Sequence, residues 1–342
     1  EYMSIRRLWI FALLGGLLGL GTASAEENVS TSAIPLLRVG FGARAAALGD
    51  GYVGLSDDAG ALWWNPGGLA QLDHSEVSFS HQAWFGGIWD EYLGLAYARQ
   101  KCVLGGSLTY SGVGDIEGWD ESNWRTAPAG QQTAILGLSY SRKLARKVGL
   151  GLAAKGMYDK VLDVTGKGVG LDLGLHYRPL PALALGAVCQ HLGPSFSYGG
   201  EGFPLPTTFR MGFHFQAWPS CLTVCDFEFP REGSNNIHLG TEVTIKDAFL
   251  LRCGYRTGPQ SPDLDRYTLG FGLKAYSLAI DYAFVPYGDL GSSHRIWVAR
   301  QFGSLPQFGA VIVKVVDANT DEPLEAQLEL AGVTEAKALT DP

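Results

Sequence analysis

Charge is scarce in this chain. Asp, Glu, Lys and Arg make up 18% of its 342 residues, below the ~25% of ordinary soluble domains. The 34 acidic residues outnumber the 26 basic ones, for a net charge of −8, and a nucleic-acid binder would show the opposite balance. Methionine is almost missing, at 3 residues against 46 glycines, a composition that does not suit a helical enzyme. The five cysteines, Cys102, Cys189, Cys221, Cys225 and Cys253, contain no C-x-x-C pair and no zinc spacing. Their odd number leaves one outside any intrachain bridge, and they read as small apolar residues on strands. Beyond the first 25 residues no run of ~18 apolar residues exists to make a helical span. What is plentiful is apolar surface: 46% of residues are hydrophobic and 11% aromatic, which excludes a disordered chain.

Residues 1–25 read as an export signal rather than part of the fold. Arg6 and Arg7 form a positive front, 8–20 is an apolar stretch, and Ala23-Ser24-Ala25 is a small-residue cleavage site. About 13 apolar residues at 1.5 Å each fall short of the ~30 Å of hydrocarbon that an anchor helix must cross. Met3 reads as the start of the signal, and the mature chain is expected outside the cytoplasm.

From residue 76 to 302 the dominant pattern has a period of two. Val169, Leu171, Leu173, Leu175 and Tyr177 alternate with Gly168, Gly170, Asp172, Gly174, His176 and Arg178. Phe209, Met211, Phe213 and Phe215 alternate with Arg210, Gly212, His214 and Gln216, and Tyr267, Leu269, Phe271 and Leu273 with Thr268, Gly270, Gly272 and Lys274. Successive side chains on a strand point to opposite faces, so each segment has one greasy face and one small or polar face. Read through, the pattern predicts fourteen strands: about 77–85, 91–99, 103–113, 132–142, 148–159, 168–178, 183–191, 207–217, 221–229, 236–246, 249–256, 266–275, 277–285 and 294–302. Tight connections at 100–102, 143–147, 179–182, 218–220, 246–248 and 276 alternate with longer polar links at 114–131, 160–167, 192–206, 230–235, 257–265 and 286–293.

Short turns opposite long loops are the mark of an outer-membrane barrel. Within lipid every backbone N–H and C=O must be paired inside the protein, so strands cross only as a closed ring. A soluble β-sandwich would need comparable turns at both ends and more charge on its polar face. The fold class is therefore all-β: a transmembrane antiparallel barrel of about 14 strands in the bacterial outer membrane, with both barrel ends on the periplasmic side. Trp84, Phe85, Trp89, Trp119, Trp124 and Trp218 cluster near strand ends, at the headgroup level that such rings prefer.

The polar face is expected to line the lumen with Asp172, His176, Arg178, Arg210, His214, Glu242, Lys274 and Asp281. Together with Asp226, Glu228, Arg252 and Arg256 these charges predict a salt-bridge network rather than an acid/base pair. His176, His214 and His238 share that face without metal-ligand spacing. No Ser-His-Asp set stands out, and 166–170 (Gly-Lys-Gly-Val-Gly) begins a strand rather than a phosphate loop. Neither an enzyme nor a metal or cofactor site is expected.

Residues 34–75, within an N-terminal segment taken as 26–75, do not alternate. Small residues crowd 40–53, and Ser56 could cap a short helix with Asp57 and Asp58 in its first turn. That helix should stop at Trp64, because Asn65 precedes Pro66. A compact unit of this size before a barrel with a lumen is best placed inside it as a plug.

Gly42-Ala43-Arg44-Ala45, then Leu48-Gly49-Asp50, Asp57-Asp58-Ala59 and Trp64-Asn65-Pro66-Gly67-Gly68-Leu69 together resemble the N-terminal signature of the PorV/PorQ outer-membrane family, a branch of the FadL-like fatty-acid transporters. Gly67 stands where the family usually has Ala. The resemblance covers roughly 35–302 and implies an N-terminal hatch whose structural and gating residues are Arg44, Asp50, Asp57, Asp58, Asn65 and Pro66. It implies a scaffold or accessory for export and surface attachment of proteins, as in type IX secretion. The alternative is a FadL-like transporter of hydrophobic small molecules. The expected partners are outer-membrane lipid and exported proteins or hydrophobic ligands, with no nucleic acid.

After residue 302 the pattern changes. Val311, Val313 and Val315 mark a short strand, 318–323 a turn, and 324–330 a return strand. The tail at 303–342 resembles the start of a carboxypeptidase-regulatory-like β-sandwich, which would be a periplasmic interaction module. It ends before such a module closes, as a truncated chain would.

Overall fold

The computed structural model describes residues 32–114, 130–257 and 266–303. The export signal, the tail, most of the 114–131 and 257–265 links, and Trp119 and Trp124 lie outside the described residues.

Among the described residues, alternation becomes strand wherever it was read. The described residues contain sixteen strands: β1 (Ser75–Ala83), β2 (Ile88–Ala98), β3 (Cys102–Val113), β4 (Gln131–Ala145), β5 (Val148–Val161), β6 (Val164–Leu180) and β7 (Leu183–Leu192) come first. Then follow β8 (Phe196–Tyr198), β9 (Glu201–Phe203), β10 (Thr208–Trp218), β11 (Cys221–Pro230), β12 (Asn236–Ile245), β13 (Phe249–Arg256), β14 (Tyr267–Ala275), β15 (Leu278–Pro286) and β16 (Ser292–Phe302). Fourteen of them pair antiparallel with their neighbours in ring order. β1 closes on β16 in an unbroken register from Ser75↔Phe302 to Ala83↔His294. The ring has no free edge, and both of its chain ends meet at the rim that carries the tight turns.

Burial follows the predicted phase. Outward residues such as Leu138, Val169, Leu173 and Phe271 are 50 to 63% exposed, while inward ones such as Ser80, Asp159, Asp172 and Asp226 are 0% exposed. Water would not tolerate that arrangement over a whole circumference; acyl chains require it.

Two details differ from the sequence reading. The 160–167 link is not a loop, because β5 and β6 pair out to Val161↔Val164 and only Leu162 and Asp163 turn the chain. β-branched residues and Leu162 in the left-handed region, at φ 54°, let the hairpin continue past the expected end of the strand. The 192–206 link also contains structure. β8 and β9 form a short hairpin, and β8 pairs with β6 through Gly166↔Tyr198 and Lys167↔Ser197. The glycines at 166 and 168 make room for Phe196, whose ring would collide with a Cβ at either position.

The residues before β1 form two short helices, α1 (Ala43–Ala47) and α2 (Ala61–Trp64), and 3-10 turns at Pro35–Arg38 and Pro66–Gln71. α2 stops at Trp64, with Asn65 extended at φ −157° before Pro66, as expected of a residue preceding proline. Its start is not Ser56. That residue sits at φ 34° and its hydroxyl donates to Tyr52 O at 2.8 Å. Asp57 turns to Arg44, whereas Asp58 accepts from Gly60 N at 2.8 Å through one oxygen and from Tyr52 through the other, and Glu76 accepts from Ala59 N at 3.0 Å. The local side-chain bond at the entry to α2 therefore comes from Asp58, not from Ser56.

Candidate functional site

The inner wall and the N-terminal segment meet along a row of glycines. A Cβ at Gly240 would lie 2.5 Å from Leu48 O, and one at Gly54 would lie 2.5 Å from Phe213 Cα. Likewise a Cβ at Gly270 would approach Ala47 Cβ to 2.5 Å, and Cβ atoms at Gly151 and Gly186 would strike the backbone of Pro66 and of Val53. The small residues of the polar face are thus seats against which backbone rests directly. Gly67 belongs to the same contact: an alanine methyl there would come 2.7 Å from Gly174 O, which accounts for glycine at this position of the motif.

Hydrogen bonds fix the seated segment. Asp226 on β11 accepts from the backbone N–H groups of Tyr52 and Val53, both at 2.7 Å. Asn65 donates to Val53 O and to Leu175 O on β6, each at 3.0 Å, while its own oxygen accepts from Gly67 N. Pro66 follows it and opens the 3-10 turn. Arg295 donates to Gly40 O at 2.9 Å, and Trp64 to Phe41 O at 2.8 Å.

At the centre stands Arg44. Its guanidinium is bidentate on Glu242, at 2.8 and 3.0 Å, and also meets Asp57 at 2.6 Å and Asp58 at 3.3 Å. The ladder continues along the wall from Glu242 to Arg252 at 2.6 Å and from Arg252 to Asp281 at 2.6 Å. Burial works against the charge of Arg44, but Asp57 and Glu242 hold it, so its pKa stands well above the ordinary value. Burial would also raise Asp57, yet the adjacent Arg44 outweighs it and holds that carboxyl below its usual range. Asp58 goes the other way. Burial first, then the neighbouring Glu76, pushes it up to about 6, and Tyr52 donates to it at 2.5 Å.

Other inward residues form separate stations. Asp50 pairs with Arg256 at 3.4 Å, Arg210 with Glu228 at 2.9 Å, and Glu228 also faces His238 at 2.9 Å. His238 contacts Gly49 O at 2.7 Å and His214 contacts Gly54 O at 3.3 Å, while His176 lies 3.4 Å from Gln71. The three histidines thus touch different parts of the segment, and no metal-holding group of His, Cys, Asp or Glu occurs among the described residues. Arg178 donates to Gln71 at 2.8 Å, and Lys274 is exposed at the end of β14.

Sequence reasoning missed Lys155, which pairs with Asp172 at 2.6 Å and lies 4.5 Å from the centre of the Trp63 ring. Its inward phase on β5 was the available signal. An aromatic cluster also lies inside: Phe41 stacks on Tyr92 at 5.4 Å, Tyr92 on Trp297 at 5.8 Å, and Trp63 meets Phe41 edge-on at 4.7 Å.

The closed ring, lipid-ready exterior and polar interior define an outer-membrane β-barrel of fourteen strands. The family model of the type IX secretion system protein PorV matches residues 22–170. Among solved structures, the toluene transporter TbuX of Ralstonia pickettii aligns with a TM-score of 0.57 at 13% identity, covering 77% of this chain and 99% of that one. The Pseudomonas putida toluene transporter TodX gives 0.58 at 14%, with 77% and 99% covered. The monoaromatic hydrocarbon channel CymD gives 0.54 at 15%, with 79% and 99% covered. A search of curated proteins finds no match. The chain is a fourteen-strand barrel of the bacterial outer membrane that is similar to PorV over residues 22–170 and shares its fold with TbuX and TodX.

Proposed function

We propose that this barrel serves as a membrane scaffold for the export and surface attachment of proteins by a type IX secretion-like route, with residues 33–72 as the hatch that closes its lumen. The observation that carries this reading is the Arg44–Glu242–Arg252–Asp281 ladder. It bolts the segment to three wall strands through buried charges, and an uncompensated buried charge is costly to expose. A wall lined this way offers hydrophobic solutes little apolar passage and suits a shut barrel that presents its loops. Arg44, Asp57 and Asp58 form the latch of the hatch, Asp50 with Arg256 a second hold, and Asn65-Pro66 the fixed seat on β5 and β6. The exported partners are engaged by the longer loops, 114–131 and 192–206, and by the periplasmic tail.

The test is affinity purification of the tagged full chain from its native membrane, beside variants with either loop shortened. Co-purifying exported proteins should be lost with the loops; recovery of the same proteins without them refutes the scaffold.

A second reading rests on the cluster of Phe41, Trp63, Tyr92 and Trp297, an apolar station inside the barrel such as a hydrophobic solute would use. TbuX and TodX, which share the fold, are toluene transporters, and CymD is a monoaromatic hydrocarbon channel. Liposomes carrying the protein would then take up an aromatic hydrocarbon faster than empty ones, and uptake equal to the control removes this reading.

A further inference from the structure

The outer wall carries a groove of about 460 Å3 across β4 to β7 and β10. Its origin lies in side-chain size. On β7 the outward positions are the small Ala187 and Cys189, while Leu150, Leu175 and Phe209 stand up on either side. Arg142 lines the groove at its tight-turn end, where β4 reaches the rim. A guanidinium on the outward face of a transmembrane strand is costly at the bilayer midplane and tolerated near the interface.

Arg142 begins a basic rim. Lys143, Arg146 and Lys147 follow on the same turn, and Arg99 and Lys101 are exposed on the neighbouring β2–β3 turn, with Arg142 directly opposite Cys102 in the register. Lys147 donates to Pro179 O at 2.6 Å. Among the described residues, Arg99, Lys101, Arg142, Lys143 and Arg146 have no carboxylate within 4.0 Å. The described links at the other end of the barrel are nearly balanced, with Asp163, Glu201, Glu232 and Asp289 against Lys160, Lys167 and Arg231. A chain with a net charge of −8 thus gathers five cations without a carboxylate partner on two neighbouring turns of one rim, beside an apolar groove that Arg142 lines.

We propose that this groove is a binding site for an anionic glycerophospholipid of the periplasmic leaflet, with acyl chains over Ala187 and Cys189 and the phosphate on Arg142 and Arg146. The small outward residues give the chains depth, and the cations select the headgroup charge. The site needs only the position of the barrel in the membrane, so it stands or falls apart from the scaffold reading.

The experiment reconstitutes the full chain into nanodiscs of equal parts phosphatidylethanolamine and phosphatidylglycerol, and counts retained lipids by native mass spectrometry. Wild type should retain phosphatidylglycerol preferentially. Arg142→Gln and Arg146→Gln should each reduce the preference roughly fivefold, and Ala187→Phe should lower retention of phosphatidylglycerol while the rim stays charged. The heat-shift on gels reports that each variant is folded, and Arg142→Lys should keep the preference. Equal retention of the two lipids by wild type overturns the proposal, as does a preference that survives both glutamine variants. Polyglutamate binding lost in Arg142→Gln, with no lipid preference in wild type, overturns it in favour of an acidic protein partner.

Discussion

Arg44 is where the sequence motif and the structure say the most about one another. It makes contact with three carboxylates from two parts of the chain, and its removal leaves Glu242 to Arg252 alone and Asp57 without a cation. Breaking a buried ion pair costs about 3–5 kcal/mol, so Arg44→Ala should lower the melting midpoint of the N-terminal segment, followed by tryptophan fluorescence, while the barrel keeps its heat-shift. Asp58 gives a pH signature. Its pKa in the folded protein, about 6, lies above the ordinary carboxyl value, so the native state holds the proton more tightly than the unfolded one. Stability from this group therefore rises as pH falls from 7 through 6 towards 4, and the gain is complete below the ordinary value. Asp58→Asn should flatten the midpoint-versus-pH curve across that window and raise the midpoint at neutral pH. How these residues would be used was only partly legible. Arg44, Asp57 and Asp58 could be named from the motif, but Glu242 lies 198 positions away from Arg44, and no local pattern announces such a partner. Asp226 was read as one charge in a network, whereas it binds backbone N–H groups, an arrangement that exists only once the segment is seated.

At the scale of elements, the period-two pattern carried nearly all the information about the ring, because the two faces of each strand meet such different surroundings. All fourteen wall strands follow from alternation and turn spacing. The β8–β9 hairpin did not, since three-residue strands are too short to show a period, and the extended β5–β6 tip was hidden behind turn-rich composition. Glycine on the inner face was also ambiguous: by sequence it could mean an open lumen or a close contact. The structure decides for contact, and Gly240→Val tests it. With Leu48 O 2.5 Å from the new Cβ, α1 and the following turn must lift from the wall, and protease cleavage within 33–72 should become faster while the barrel core stays resistant. Lysine on the two faces of β14 separates lipid from lumen. Phe271→Lys, at an outward position that is 50% exposed, should reduce folding stability by about 2–4 kcal/mol if it lies near the midplane; a change no larger than that of a surface substitution in a soluble protein would contradict the lipid-facing assignment.

For the whole molecule, closure and occupancy are separate matters. The β1–β16 register closes the ring, and the charge ladder and glycine seats hold the N-terminal segment against its inner wall, where the proposed hatch would shut the lumen. The composition follows from these two demands: apolar residues outward, glycine where backbone meets backbone, and the few charges spent in pairs inside. The account stands most directly on single-channel conductance in a planar bilayer, comparing the full chain with a variant lacking residues 34–72. It predicts a nearly silent wild type and a large, steady conductance in the deletion. A wild-type pore as open as that of the deletion variant would contradict it.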